Sequence, residues 1–218
     1  MRSPSSGRGG ARAAAPRERI LEHAVDLLAL HGFDAMTMRH LGARVGLDNS
    51  SLYRHFESKS ELVDAALDRV AGDVLASIGP SVDLRQPLTL ARLEDACAAV
   101  GLWFFDHPSS ARLMLHWIMS MGASAPGFSA SAPAADRSRP HGRLLEMVSE
   151  WLASGSKRGV LRKHAQPEAI VTLFGAILLR PATYGHLLHS LEPKREKAAA
   201  RKAWERELRA FVRGAFEA

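Results

Sequence analysis

The sequence predicts an all-α protein. Apolar residues recur at the three-to-four-residue spacing of an amphipathic helix, as in the series Ile20, Ala24, Leu27 and Leu28. No segment alternates apolar and polar residues in the way that a half-buried strand does. Proline and glycine residues fall where these periodic segments begin and end. We therefore expect helices along the whole chain, arranged as a short N-terminal unit and a larger C-terminal domain.

The composition indicates a soluble, basic protein. The 218 residues include 29 Lys and Arg against 23 Asp and Glu, a formal net charge of +6, which favours a polyanionic partner. The single cysteine, Cys97, excludes a disulfide framework and multi-cysteine metal sites, and it fits a reducing compartment. The longest strongly apolar segments, 96–105 and 169–179, are too short to span a bilayer. We expect a cytoplasmic protein without a membrane partner.

Residues 1–15 are predicted to form a disordered basic tail. Ser, Gly, Ala and Arg dominate this segment, and no acidic residue precedes Glu18. No apolar core follows its arginines, so the segment does not resemble a secretory signal. The tail is either a solvated leader or an arm that contacts phosphate groups.

The first helices have clear start and stop signals. Pro16 suits the first turn of a helix that ends at Gly32. Thr37 is the expected N-cap of a short second helix through Val45, which Gly46 ends.

Two further N-terminal helices follow. Asp48 is placed to cap a third helix over residues 49–55. The sequence Ser-Lys-Ser-Glu at 58–61 is a capping box, and it opens a long fourth helix that runs to Gly79.

The rest of the chain is predicted to be helical around one long loop. Further helices are expected over residues 89–107, 108–121, 140–154 and 167–189, and from Pro193 onward. Pro181 predicts a kink in the helix over 167–189. The Gly-, Ala-, Ser- and Pro-rich segment 122–140 is predicted to be a loop.

The second and third helices carry a specific motif. Residues 37–47 are TMRHLGARVGL and residues 48–56 are DNSSLYRHF, followed by Ser58, Lys59 and, farther on, Leu62. Two short helices around a glycine-containing turn are typical of a helix-turn-helix. From Pro16 to about Ala66, the segment closely resembles the DNA-binding region of the tetracycline-repressor (TetR) family.

The chain departs from the family pattern at two positions. Gly42 stands where the family usually has Ala, which weakens the helix but permits a close helix crossing. Asp48 replaces the usual Ser cap, and Asp caps a helix equally well.

The positions of these side chains on and beside the two helices predict a set of DNA-contacting residues: Thr37, Arg39, Asn49, Ser50, Ser51, Tyr53, Arg54, His55 and Lys59. In a helix-turn-helix the start of the second helix enters the major groove, where short polar side chains read base edges. Asn49 is best suited to adenine, and the resemblance assigns Tyr53, His55 and Lys59 mainly to phosphates. The alternatives are half-buried packing for Tyr53 and simple solvent exposure for Asn49 and Arg54.

The middle of the chain concentrates aromatic, Met and His residues. We select the following as candidate effector-binding residues: Trp103, Phe104, His107, Met114, Trp117 and Met121. Bulky apolar side chains with a few polar points are typical of a small-molecule pocket, here suited to an apolar or aromatic molecule. For each residue taken alone, ordinary core packing is the alternative.

The last two helices are the candidate dimer interface. Their wide apolar faces comprise Ile170, Leu173, Phe174, Ile177, Leu178, Trp204, Leu208 and Phe211. The resemblance implies that these helices face their symmetry mates in a homodimer. A two-fold dimer also fits the chemistry, because one short recognition helix reads too little DNA to be selective.

No cofactor or metal is expected. His186 and His189 are three residues apart on a predicted helix, but no third ligand lies near them in sequence, which favours a surface or interface role. Cys97 lies in an apolar helical segment, so we expect it to be buried and inert rather than redox-sensing.

These observations favour a regulator over an enzyme. The chain has no glycine-rich phosphate loop, nucleophile elbow or His-Glu-x-x-His motif. We expect a tail at 1–15, a helix-turn-helix domain at 16–62 and a helical regulatory and dimerisation domain at 63–218. The predicted function is a ligand-responsive repressor that binds a palindromic operator as a homodimer and is released by a small apolar effector. The alternatives are a non-specific architectural DNA-binding protein and a helical enzyme without a recognisable motif.

Overall fold

The structure is a computed structural model that describes residues 16–79, 83, 85–120, 138–162, 171–182 and 196–217. Its helices are α1 (Pro16–Ala35), α2 (Met38–Val45), α3 (Asn49–Tyr53), α4 (Lys59–Ile78), α5 (Leu90–Asp106), α6 (Pro108–Ser120), α7 (Pro140–Lys157), α8 (171–182) and α9 (Lys197–Phe216). In these ranges the β-type backbone pairing is limited to one isolated antiparallel bridge between Leu161 and Glu217. The all-α prediction is confirmed.

The described helices match the predicted ones closely. Helix α4 has the predicted bounds, whereas α3 ends at Tyr53 and α7 continues to Lys157. The predicted tail, residues 122–137 of the predicted loop, and both His186 and His189 lie outside the described residues.

Gly32 interrupts α1 as the sequence predicts. Its backbone has φ 74° and ψ 178°, a non-helical conformation that glycine adopts without a steric penalty. The chain turns there and buries Phe33 and Met36 before α2 begins. This break separates the long part of α1 from the turn that leads into the helix-turn-helix.

The N-terminal unit has its own apolar core. Helix α1 packs against α2 and α4, and α2 packs against α3. The fully buried side chains at the centre of this unit are Ile20, Leu28, Leu41, Leu52, Phe56 and Leu62. Because α3 contributes only Leu52 to the core, the rest of its surface is left for other contacts.

The larger domain is built around α4 and α5. Helix α4 extends from the N-terminal unit and packs against α5, α6 and α7, while α6 also packs along α1. Helix α5 lies between α4, α6 and α9. Both α4 and α6 therefore connect the two parts of the chain.

Helices α5 and α9 pack closely against each other. A Cβ atom added at Gly101 of α5 would overlap Cδ2 of Leu208, so the Leu208 side chain packs directly on the α5 backbone at this point. The Trp204 indole N–H donates to the Gly101 carbonyl over 3.2 Å. Arg213 binds both carboxylate oxygens of the buried Glu94 at 2.9 and 2.8 Å.

This contact changes the assignment of the predicted interface residues. Trp204 and Leu208 are buried against α5 of the same chain, because α9 uses its apolar face within the monomer. Leu173, Ile177 and Leu178 are likewise buried within the chain. Phe174 is partly buried, Phe211 is 44% exposed, and Ile170 lies outside the described residues.

A different apolar stripe remains exposed on α8. Val171 and Leu179 are 67% and 53% exposed, and Gly175 lies between them at helical spacing. A Cβ atom added at Gly175 would meet nothing within 4 Å. Arg180 stacks its guanidinium on the Trp204 ring at 4.6 Å, which places this end of α8 beside α9.

Candidate nucleic-acid interface and effector cavity

A tight turn sets the position of α3 relative to α2. The Thr37 hydroxyl accepts from the backbone N–H of His40 at 3.2 Å and caps α2. Gly46 ends α2 in the left-handed conformation with φ 74°, and the Leu47 N–H donates to the Gly42 carbonyl at 3.0 Å. A Cβ atom at Gly42 would lie 2.6 Å from the Leu47 carbonyl oxygen. The sequence prediction that Gly42 permits a close approach here is therefore confirmed.

Asp48 organises the start of α3. Its Oδ1 accepts from the Ser51 backbone N–H at 2.6 Å and from the Ser50 hydroxyl at 2.8 Å. These hydrogen bonds lower the pKa of the Asp48 carboxyl below its usual value, and the bond from the Ser51 backbone N–H has the largest effect. Arg54 extends the network by donating to the Ser51 hydroxyl at 2.7 Å.

The side chains on the outer face of α3 are accessible. Asn49, Ser50 and Arg54 are exposed, and Tyr53 is 49% exposed. Ser51 and His55 are half-buried. Ser50 and Ser51 already make side-chain hydrogen bonds, so a DNA contact by either hydroxyl shares or replaces an existing bond. Asn49 and Tyr53 make no such bond in the described network, which makes them the side chains most readily available to a ligand.

The remaining predicted contacts surround α3. Thr37 and Arg39 are exposed at the start of α2. Lys59 is half-buried, and its ammonium donates to the Asp34 carbonyl at 3.1 Å, which fixes the start of α4 to the end of α1. The resemblance assigns Lys59 mainly to phosphates and does not indicate this contact within the chain. The hydrogen bond from Lys59 to Asp34 joins segments that are distant in sequence, so no local pattern predicts it.

Arg17 is a further residue that sequence reasoning missed. Its guanidinium lies 4.7 Å from the centre of the Phe56 ring. This cation–π contact joins the exposed start of α1 to the segment between α3 and α4.

A separate apolar cavity lies in the larger domain. It has a volume of about 80 Å³ and lies between α4, α5, α6, α7 and α8. The side chains that line it are Val74, Ile78, Leu93, Ala96, Cys97, Val100, Phe104, Met114, Leu144, Val148, Trp151, Leu152, Leu173, Phe174 and Ile177. No charged side chain appears among these lining residues, so the cavity suits an apolar occupant.

The cavity includes two of the predicted effector residues, Phe104 and Met114. Trp103 stacks on His107 at 4.3 Å between ring centres, and neither residue lines the cavity. Trp117 is buried edge-on against His141 at 5.1 Å.

Met121, the sixth predicted effector residue, lies outside the described residues. The walls that α4 and α7 supply were missed, because their apolar residues have the same spacing as ordinary core residues.

Cys97 lines the cavity as a neutral thiol. Burial, with a smaller contribution from Glu94, raises the pKa of the thiol from 9.0 to about 12. At pH 8 the thiolate, which is the reactive form, is therefore scarce.

We predict that iodoacetamide alkylates native Cys97 at least on the order of a thousandfold more slowly than unfolded Cys97 at pH 8, because both the raised pKa and burial oppose the reaction. The measurement is the alkylation rate by intact mass, with and without guanidinium. Equal rates in the two states would contradict the assignment.

Within the described ranges, no group of three or more His, Cys, Asp or Glu side chains is arranged to hold a metal ion. The described helices also include none that is long and apolar enough to cross a membrane.

Comparison with known proteins places the helix-turn-helix in a family. Residues 20–66 match the family model described as bacterial regulatory proteins, tetR family. Over 53 residues, 24% of this chain, the sequence is 40% identical to the HTH-type transcriptional repressor DrrR1 of Streptomyces coeruleorubidus. The chain spans only 20% of the length of that relative.

Solved structures extend the likeness of the fold to almost the whole chain. The ketosteroid transcriptional regulator KstR2 of Mycobacterium tuberculosis superposes with a TM-score of 0.61 at 21% identity, covering 97% of this chain and 100% of that one. AibR, in a complex with isovaleryl coenzyme A and operator DNA, gives a TM-score of 0.62 at 15% identity, covering 93% and 98%. Residues 20–66 therefore carry the sequence pattern of the tetR family model, and almost the whole chain shares its helical fold with these solved structures.

Proposed function

We propose that this chain is a ligand-responsive transcriptional repressor that binds a palindromic operator as a homodimer and releases it when a small apolar effector binds. The observation that carries the proposal is the outer face of α3. Asn49, Tyr53 and Arg54 are exposed there, on a helix held by the Asp48 cap and the buried Leu52. Regulation acts by binding rather than by catalysis, and the proposed location is the cytoplasm.

Base reading is proposed for Asn49 and Arg39, together with Arg54 when its bond to Ser51 opens. Asn pairs with adenine through two hydrogen bonds and Arg with guanine in the same way. Thr37, at the N-terminus of α2, and Tyr53 and His55, at the end of α3, are proposed to contact phosphates, because hydroxyl and imidazole groups form hydrogen bonds with phosphate oxygens. Ser50 and Ser51 are proposed to contact either a base or a phosphate, with hydroxyl groups that already bond to Asp48 and Arg54. Lys59 is proposed to position α4 through its bond to the Asp34 carbonyl.

The apolar lining of the cavity favours an effector whose buried part carries no charge. The lining residues offer aliphatic and aromatic contacts together with the neutral Cys97 thiol. AibR binds an acyl thioester, isovaleryl coenzyme A, which is consistent with a small branched apolar group as the buried portion of a ligand.

We predict that bromobenzene, a contact-range quencher, binds in the cavity and quenches Trp151 fluorescence. The physical reason is that Trp151 lines the cavity, whereas Trp103 does not. Trp151→Phe should therefore lose most of the saturable quenching, and Trp103→Phe, the matched control, should retain it. Loss of the signal in Trp103→Phe alone would place the binding site elsewhere.

A homodimer is proposed through α8 and the adjacent part of α9. Val171, Gly175 and Leu179 form an exposed stripe on α8, and Phe211 is exposed on α9. A glycine in the middle of such a stripe allows two helices to approach closely. Two α3 helices in one dimer would then reach successive major grooves.

Competition between DNA duplexes tests the proposal against the alternative of an architectural protein. A duplex recovered from random DNA by the purified chain should be preferred over a scrambled duplex, and the preference should persist as salt rises. Non-specific binding comes mainly from phosphate contacts and weakens steeply with salt. Equal affinity for the two duplexes at every salt concentration would favour the architectural alternative and contradict the proposal.

A further inference from the structure

The middle of helix α7 lines the cavity, and the N-terminus of the same helix contacts α4. Leu144, Val148, Trp151 and Leu152 line the cavity. At the N-cap of α7, Arg139 places Nη1 3.0 Å from Oδ2 of Asp68 and Nη2 3.4 Å from Oδ2 of Asp64. One helix therefore contacts both the proposed effector and the helix that leaves the DNA-reading unit.

His141 adds a second connection to the same carboxylate. Its Nδ1 lies 2.6 Å from Oδ1 of Asp68, and its backbone N–H donates to that oxygen over 3.4 Å. The His141 side chain is fully buried, and the ring meets Trp117 of α6 edge-on. We call Asp64, Asp68, Arg139 and His141 the Asp68 clamp.

The Asp68 clamp holds α7 in one register on α4. Hydrogen bonds to a carboxylate are directional, and three of them converge on Asp68. Breaking them would leave the buried His141 ring without its partner, which is costly in a low-dielectric environment. Movement at the start of α7 is therefore passed to α4 rather than absorbed between them.

Along α4, the Asp68 clamp lies between the cavity wall and the helix-turn-helix. The residues of α4 that line the cavity, Val74 and Ile78, lie about 9 and 15 Å beyond Asp68 along the helix axis. On the other side, Asp68 is about 15 Å from Ser58, where α4 meets the helix-turn-helix. A displacement at Asp68 therefore acts on α4 nearer to the DNA-reading unit than a displacement at the cavity wall does.

We propose that the Asp68 clamp transmits occupation of the cavity to the DNA-reading unit: an occupant displaces α7, and the clamp carries α4 with it. This inference rests on the proposed effector response. It assigns Asp68 and Arg139 as positioning residues for that response, with no contact to DNA or effector.

The experiment loads the cavity covalently through its single cysteine. Benzyl methanethiosulfonate forms a mixed disulfide with Cys97, releasing methanesulfinate, and intact mass reports the loaded fraction after prolonged incubation at pH 9. Operator affinity is then compared between the loaded and free forms of the wild type, Asp68→Asn and Asp95→Asn. Asp95→Asn is the matched control, because it also removes a carboxylate bound to an arginine, Arg209, but between α5 and α9.

Loading should weaken operator binding at least about tenfold in the wild type and in Asp95→Asn, a coupling of the usual allosteric size. In Asp68→Asn the loss should be less than about threefold, with the affinity of the free form close to that of the wild type. The same loss in Asp68→Asn as in the wild type would overturn the clamp and leave the effector response intact. No loss in the loaded wild type would overturn the proposed response itself.

Two further variants keep the test decisive if Cys97 resists loading or Asp68→Asn does not fold. Ala96→Trp fills the same cavity genetically and replaces the reagent. Arg139→Gln removes the same ion pairs from the α7 side and should reduce the coupling as Asp68→Asn does. Circular dichroism confirms folding of each variant before its affinity is measured.

Discussion

The double variant Asn49→Ala with Arg39→Ala is expected to lose at least about 30-fold in affinity for a selected operator, because each base contact contributes about 1–3 kcal/mol of discrimination. Both side chains are exposed on the helices proposed to face DNA, and neither contributes to the core. The folded state should therefore be retained, as measured by thermal unfolding. The affinity itself is measured by fluorescence anisotropy at fixed salt.

The control for this variant is Arg206→Ala. Arg206 is an exposed arginine on α9, paired only with its neighbour Glu207 among the described contacts, and lies outside the proposed interface with DNA. Its removal changes the net charge without removing a base contact. If the double variant binds the operator as tightly as this control does, the assignment of Asn49 and Arg39 is wrong.

Gly175→Arg is expected to convert the proposed homodimer to monomers and to reduce operator affinity by about 100-fold or more, because a buried, unpaired charge costs several kcal/mol. The single chain should tolerate the change, since the space around Gly175 is open and arginine favours a helix more than glycine does. Sedimentation velocity at micromolar concentration gives the mass.

Gly72→Arg is the matched control for the dimer. Gly72 is also an exposed helical glycine with open space around it, but it lies on α4. The Gly72→Arg protein should sediment with the same mass as the wild type. A charge at Leu208 should instead destabilise the monomer, because Leu208 packs against Gly101 within the chain. A Gly175→Arg protein that remains dimeric would exclude α8 as the interface.

The helix-turn-helix could be predicted from sequence because its signals are local. Thr37, Gly46 and Asp48 act on backbone groups within a few residues, and each has the predicted capping or terminating role. The network from Asp48 through Ser51 to Arg54 could not be predicted, since it depends on which rotamers the short helix selects.

The cavity and the exposed face of α8 depend on contacts between distant segments. Trp204 and Phe211 have the same apolar spacing on α9, yet one is buried by Gly101 of α5 and the other is 44% exposed. Sequence periodicity identifies an apolar face but does not identify the partner that covers it. For the same reason, the sequence predicts Trp103 as a pocket residue, whereas the structure places Trp151 in the cavity wall.

The most direct test of the account is selection of bound sites from random DNA by the purified full chain. The account predicts an inverted repeat whose half-site centres are separated by one helical turn, about 34–36 Å, because two α3 helices of one dimer must read the same face of the duplex. Recovery of DNA without a shared sequence, or of a single unrepeated half-site, would contradict it.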